Sequence, residues 1–360
     1  MLKRIVMLAL AVLLAHESRA DGIRPLNGIW TGTVGTYPVN VCLQVQDGDS
    51  YNFGAYYYLS KLKLINLQAG DKGGWTEGSD AAKPDAVWNL KMGAEDTASG
   101  SWVGHGKTLD VKLRRLTKLS GDDADAPCSA DAFFKPRLTP PKIKETAAKM
   151  DGLGYTQIDV DAGKQFDVSY QTFRLNGPDA VTTRLNATFM SKSGEDYLEC
   201  LQSAAGTGND GSYAVTIKPI LLTPHWLVVS DADTSFCGGA HPVNSYDETV
   251  YDLRSGEMVN VSEWLAPSAA KDGEPQGNLA KMVSASYAEG RKGDQDCLDS
   301  IKNADGWSVS LTHKGMTFTP ELSYALNACA DAVEISFDRI SPFLTPEGQK
   351  RLAGFRGELK

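Results

Sequence analysis

Cys237 and His241 stand four positions apart around a glycine pair, with Asp247 and Glu248 close behind. These are residue types from which nucleophilic and acid–base catalysis is built. A Cys–His pair supplies an imidazole-activated thiolate, and a histidine beside carboxylates can activate water for hydrolysis of cell-wall material. Each arrangement needs a further group to orient the base, and spacing identifies no Asn or Asp partner for the Cys–His pair. A disulfide would also consume the thiol. Asp231, Ala232, Asp233, Thr234 and Ser235 begin like a calcium loop, but Pro242 falls where the bidentate glutamate belongs and the central glycine is missing. His105, His225, His241 and His313 show no HExxH spacing, and no CxxC, GxSxG, P-loop or dinucleotide fingerprint occurs. The sequence thus offers no catalytic residues, no metal ligands and no cofactor. An envelope hydrolase using His241 with Asp247 or Glu248 stands as the alternative to a binding function.

The cysteines carry a firmer chemistry. Lys3 and Arg4 precede an apolar run at residues 5–15, and Ser18, Arg19 and Ala20 form a small-x-small cleavage site. That pattern is a secretory signal peptide over residues 1–20, cleaved near Ala20–Asp21, and not a membrane anchor. The expected location is the periplasm or the exterior, where disulfides persist. The six cysteines are Cys42, Cys128, Cys200, Cys237, Cys297 and Cys329. Cys42 and Cys128 alone precede a proline-rich stretch and so are expected to pair. Cys200–Cys237 and Cys297–Cys329 each close a short loop and are the preferred remaining bonds. Removing Lys3, Arg4, Arg19 and Glu17 from the 36 basic and 45 acidic side chains leaves 33 against 44, a balance of −11. Such acidity argues against nucleic acid and anionic membranes and suits a basic partner.

Around Cys237 the chain reads Gly238, Gly239, Ala240, His241, Pro242, Val243, Asn244, Ser245, Tyr246. Paired glycines reach backbone conformations closed to other residues, and Pro242 biases His241 toward extended geometry. A strand at 249–253, a turn at 254–257 and a return at 258–261 follow, which is a hairpin. This stretch, with the segments 324–329 and 333–337, resembles the C-terminal domain shared by the RsiV anti-sigma factor and the PdaC peptidoglycan deacetylase. The resemblance covers roughly residues 142–360. It implies a secreted binding module, since this domain is not the catalytic part of the deacetylase and recognises lysozyme in the anti-sigma factor. The partner expected from it is a basic lysozyme-type hydrolase, another protein or a cell-wall component. Gly238, Gly239, His241, Asn244 and Tyr246 are the candidate binding residues. The competing reading is that the glycines only shape a turn and His241 caps backbone groups.

The elements that must position this loop follow from periodicity. Residues 21–137 form short alternating runs broken by Gly, Asp and Asn. Val39, Val41, Leu43 and Val45 share one face of a strand, as do Leu109, Val111 and Leu113. Further strands are expected at 51–59, 62–67, 74–77, 87–92 and 100–104. About eight strands predict an antiparallel barrel or sandwich, calycin-like in outline. Trp30 and Trp102, each two residues before a glycine, mark the two ends that must meet in a closed barrel, where a tryptophan is expected beside a glycine on neighbouring strands. Tyr56, Tyr57 and Tyr58 must alternate across a strand, filling a core or forming an aromatic contact surface. Residues 138–149 read as a stiff Pro-rich linker. Residues 150–360 alternate helix signals, at 181–201 and 278–290, with hairpins, which predicts an α+β domain with an antiparallel sheet and packed helices.

Overall fold

The computed structural model describes residues 24–45, 52–70, 74–78, 83–191 and 196–359. The expected signal peptide lies outside the described residues, as does Tyr51. Eight antiparallel strands close into a barrel: β1 (Gly28–Val34), β2 (Tyr37–Gln44), β3 (Phe53–Tyr58), β4 (Ile65–Ala69), β5 (Trp75–Glu77), β6 (Ala86–Met92), β7 (Thr97–Gly104) and β8 (Lys107–Arg115). Each strand pairs with the next, and β1 returns to β8 with Val34 opposite Val111. Alternation sends Val39, Val41, Leu43, Val111 and Leu113 inward beside Trp30, Trp75, Trp88 and Tyr56, all buried. Trp30 and Trp102 both point into this interior, but β8 runs between their strands, so the two Trp-x-Gly segments do not lie on neighbouring strands as expected. The glycine after Trp30 serves close strand approach instead. A Cβ on Gly32 would lie 1.9 Å from the Lys112 carbonyl.

The second region is built on a seven-stranded sheet. Its strands are β9 (Lys142–Met150), β10 (Leu153–Asp161), β11 (Val168–Leu175), β12 (Ser212–Leu222), β13 (Trp226–Phe236), β14 (Val243–Asp252) and the short β15 (Glu257–Met258), ordered β15-β14-β13-β12-β11-β10-β9. Lys142–Met150, all but its last residue expected in the linker, is therefore the edge strand β9. All neighbours are antiparallel except β11 and β12. A parallel pair requires a crossover, and α1 (Ala180–Ser191) and α2 (Asp196–Ala205) supply it. These helices cover one face, where Tyr213, Val215 and Ile217 alternate into the core. The other face carries Trp226, Val228 and Val250. It packs against α3 (Gly277–Gly290), α4 (Gln295–Ser300), α5 (Pro346–Arg356) and a three-stranded sheet. That sheet is Gly306–Leu311, Gly315–Glu321 and Val333–Ser336. The observed α+β organisation is the expected one, and α3 follows Gln276 as its N-cap residue.

The barrel wall meets the helix-covered core. Ile29 and Tyr57 belong to the same buried cluster as Phe133, Phe134, Tyr170 and Leu201. Arg137, fully buried, links the two sides: its guanidinium pairs with Asp210, donates to the Leu62 carbonyl at 2.9 Å and lies 4.8 Å from the Phe166 ring centroid. All three expected disulfides are present, with Cα–Cα distances of 5.2 Å for Cys42–Cys128, 4.6 Å for Cys200–Cys237 and 5.1 Å for Cys297–Cys329.

Candidate functional site

The loop joining β13 to β14 starts at Cys237, which the disulfide ties to Cys200 on α2. Gly238 follows with φ +90°, and a Cβ there would sit 2.6 Å from Thr207 Oγ1 and 2.9 Å from Ala204 Cα. A side chain is thus refused twice, by backbone conformation and by the underlying helix end. Gly239 faces open space, with nothing nearer a built Cβ than its own loop's His241 carbonyl at 3.9 Å. From residue 239 to residue 247 every position is exposed.

His241 lies flat on Tyr324, with ring centroids 4.0 Å apart and planes at 17°. Among the described residues its only hydrogen-bond contact is Nδ1 to the Pro242 carbonyl, at a long 3.4 Å, and it caps no other backbone group there. Tyr324 opens the 3₁₀ turn Tyr324–Cys329, which the bond to Cys297 on α4 holds in place. Tyr287 Oη donates to the Cys329 carbonyl at 2.5 Å, and Arg291 to the Ala328 carbonyl at 2.5 Å. Asn327 Nδ2 reaches back to the Asn244 carbonyl at 2.7 Å. The loop is therefore braced between two disulfide-anchored elements while its outer surface stays in solvent.

The structure brings His241 and Asn244 against one turn, and places Tyr246 two residues further along β14. Tyr246 Oη donates to Glu248 Oε1 at 2.8 Å, and Thr317 Oγ1 lies 3.5 Å from Glu248 Oε2. Burial of the phenol, then its hydrogen bond to the Glu248 carboxylate, push the Tyr246 pKa up. Neither Asp247 nor Glu248 bonds to His241, and Cys237 is oxidised. The elements of the hydrolase alternative are therefore near in sequence without forming a catalytic arrangement. No local pattern in the sequence singles out Tyr324 or Asn327, although the segment 324–329 carries part of the family resemblance. Val243, 49% exposed, and Tyr246, 51%, stand exposed on β14, and Leu326, 38%, on the adjoining 3₁₀ turn.

A second polar cluster, also missed, sits inside the barrel. Glu77 Oε1 accepts from Tyr56 Oη at 2.8 Å, Trp88 Nε1 at 2.7 Å and Trp102 Nε1 at 2.6 Å. Burial, then the Glu77 charge, drive the Tyr56 phenol pKa upward. Adjacent strands β5, β6 and β7 bring these side chains together, with Trp75, Trp88 and Trp102 in cross-strand register. Tyr57 points outward on the same strand as Tyr56 and is itself buried, donating to the Phe133 carbonyl at 3.0 Å. The tyrosine run therefore fills two cores. Among the described residues, no group of three His, Cys, Asp or Glu side chains could hold a metal ion, and no helix is long and apolar enough to cross a membrane.

An eight-stranded barrel joined to an α+β region with a disulfide-braced loop is the class that fold and site define. No protein-family model matches the chain, and no curated protein does. Among solved structures it is similar to a DUF3298 family protein from Pseudomonas aeruginosa PAO1, at 16% identity and a TM-score of 0.37, over 58% of this chain and 97% of that one. It is also similar to a DUF3298 family member from Bacteroides fragilis, at 12% identity and a TM-score of 0.39, over 62% of this chain and 97% of that one.

Proposed function

We propose that this protein is an exported, non-enzymatic binding protein of the bacterial cell envelope, and that its C-terminal region recognises a basic protein partner of the lysozyme type through the surface around His241 and Tyr324. The observation that carries this reading is the exposed, braced loop: an aromatic pair presented to solvent on a scaffold fixed by Cys200–Cys237 and Cys297–Cys329. Preorganised aromatic side chains lose little freedom on binding and contribute large contact areas. The net charge of −9 supports a basic partner, whose encounter it would accelerate. Three disulfides suit an oxidising compartment.

Lysozyme binding by the wild-type protein and His241→Ala, measured by calorimetry beside melting curves, tests the proposal. His241 is exposed, so the variant should melt close to wild type. Loss of a hot-spot side chain should weaken binding about thirtyfold, the equivalent of about 2 kcal/mol. Absence of lysozyme binding at micromolar concentration would remove the lysozyme-type partner. Unchanged affinity in the variant would remove His241 from the surface.

A further inference from the structure

β14 has an unusual edge. In an antiparallel ladder the N–H and C=O of one residue point to the same side, and successive residues alternate. The Val250 carbonyl accepts from Val259 N at 2.8 Å, and the Asn244 carbonyl from Asn327 Nδ2 at 2.7 Å, both from the side away from β13. Even-numbered residues of β14 therefore face outward. Between these two, Tyr246 and Glu248 present outward backbone groups that pair with no described strand, because β15 reaches only Tyr251 and Asp252. Open edges of this kind template the addition of another strand, and proteins that must avoid it cover or shorten them. Here Asn327 and Val259 close the two ends at Asn244 and Val250, and the stretch between them keeps Tyr246 exposed.

Its charge selects what can pair. Asp247 and Glu248 sit on the strand, and Asp247 lies directly opposite Asp231 of β13. Pairing two copies of β14 would bring carboxylates together, which disfavours self-association. A basic strand meets the opposite sign. Beside the edge, a cavity of about 250 Å³ is lined by Val229, Asp231, Asp247, Thr249 and Tyr251 of β13 and β14 and by Phe189 of α1. Apolar walls with carboxylates suit the methylene stem and charged head of lysine or arginine.

We infer that β14 is an acceptor edge for an extended, Lys- or Arg-bearing segment of a partner protein. That segment adds as a strand in line with β15, bonding to the Tyr246 and Glu248 backbone and seating one cationic side chain in the cavity. The inference deepens the binding function proposed above and rests on it for the partner's basic character.

The probe is a fluorescent octapeptide of alternating Lys and Val, read by anisotropy with the full chain. Two further versions carry N-methyl groups on one or the other alternate set of amides, and a fourth replaces Lys by Glu. Binding of the parent is expected, with at least about tenfold loss when the amides facing β14 are methylated. The Glu peptide should not bind, and Asp247→Asn should weaken the parent several-fold. Tyr246→Pro removes an outward N–H without touching the β13 ladder, so it should abolish binding that Tyr246→Ala partly retains. No binding of the parent, equal binding of both methylated versions and the parent, or equal binding of the Glu peptide would overturn the inference. Lysozyme separates this result from the broader proposal. Lysozyme bound equally by wild type and Tyr246→Pro would sink the edge and leave the binding function standing. Peptide captured without lysozyme would support the edge and sink the lysozyme-type partner.

Discussion

Replacing Glu77 by Leu removes the one acceptor on which three buried donors converge, and the geometry sets the size of the loss. Tyr56 Oη can turn about its C–O bond toward the neighbouring Tyr58, whose phenol interacts with it. The indoles cannot turn. Trp88 and Trp102 lie in cross-strand register on β6 and β7, and Trp88 is fully buried. Two indole N–H groups would be left without an acceptor, at about 2 kcal/mol each, for a total of about 4 kcal/mol. Glu77→Gln keeps an acceptor at the same place and adds an amide needing a partner of its own, so it should cost about 1–2 kcal/mol. Urea unfolding followed by tryptophan emission reads the change where it occurs. A domain of ordinary stability holds 5–15 kcal/mol, so the leucine variant should shift the midpoint markedly. A leucine variant within about 1 kcal/mol of wild type, or a glutamine variant worse than leucine, would refute the reasoning.

Arg137→Ala should cost about 3 kcal/mol in the same assay, because it leaves Asp210 in a low-polarity site without its cation. Arg137→Lys should not restore stability, since one ammonium cannot reach Asp210 and the Leu62 carbonyl with the same fork. At the C-terminus, burial pushes the Glu358 pKa up, but hydrogen bonds from Thr223 and from the His225 ring and backbone outweigh it and hold the carboxyl below its ordinary 4.5. A depressed folded-state pKa gives stability that is present above the unfolded value and lost as pH falls through the folded one. Melting temperature should therefore drop more steeply below about pH 4.5 in wild type than in Glu358→Gln; parallel acid limbs would remove Glu358 from the account.

The barrel was readable because each strand turns one face inward, so alternation at Val39, Val41 and Leu43 reports the core directly. β9 was not readable for the converse reason. Lys142–Met150 is an edge strand exposed along most of its length, and its place is set by the ladder to β10 rather than by an apolar period. Disulfides could be paired from order along the chain because Cys42 and Cys128 alone precede the proline-rich stretch, and the other two bonds span only 37 and 32 residues. The sites resist such reading. Glu77, Trp88 and Trp102 meet only once the register of β5, β6 and β7 is fixed, and no local pattern encodes register across three strands. Asn244 meets Asn327 across 83 residues of chain. The glycine-rich loop showed where the backbone must bend, and Gly238 does bend there with φ +90°. What makes the loop a recognition candidate is different: Tyr324 beneath His241, the two bonds that brace them, and the unfilled edge beside Tyr246. Those features come from the packing of distant elements, so the sequence alone could locate the loop but could not separate a turn from a surface.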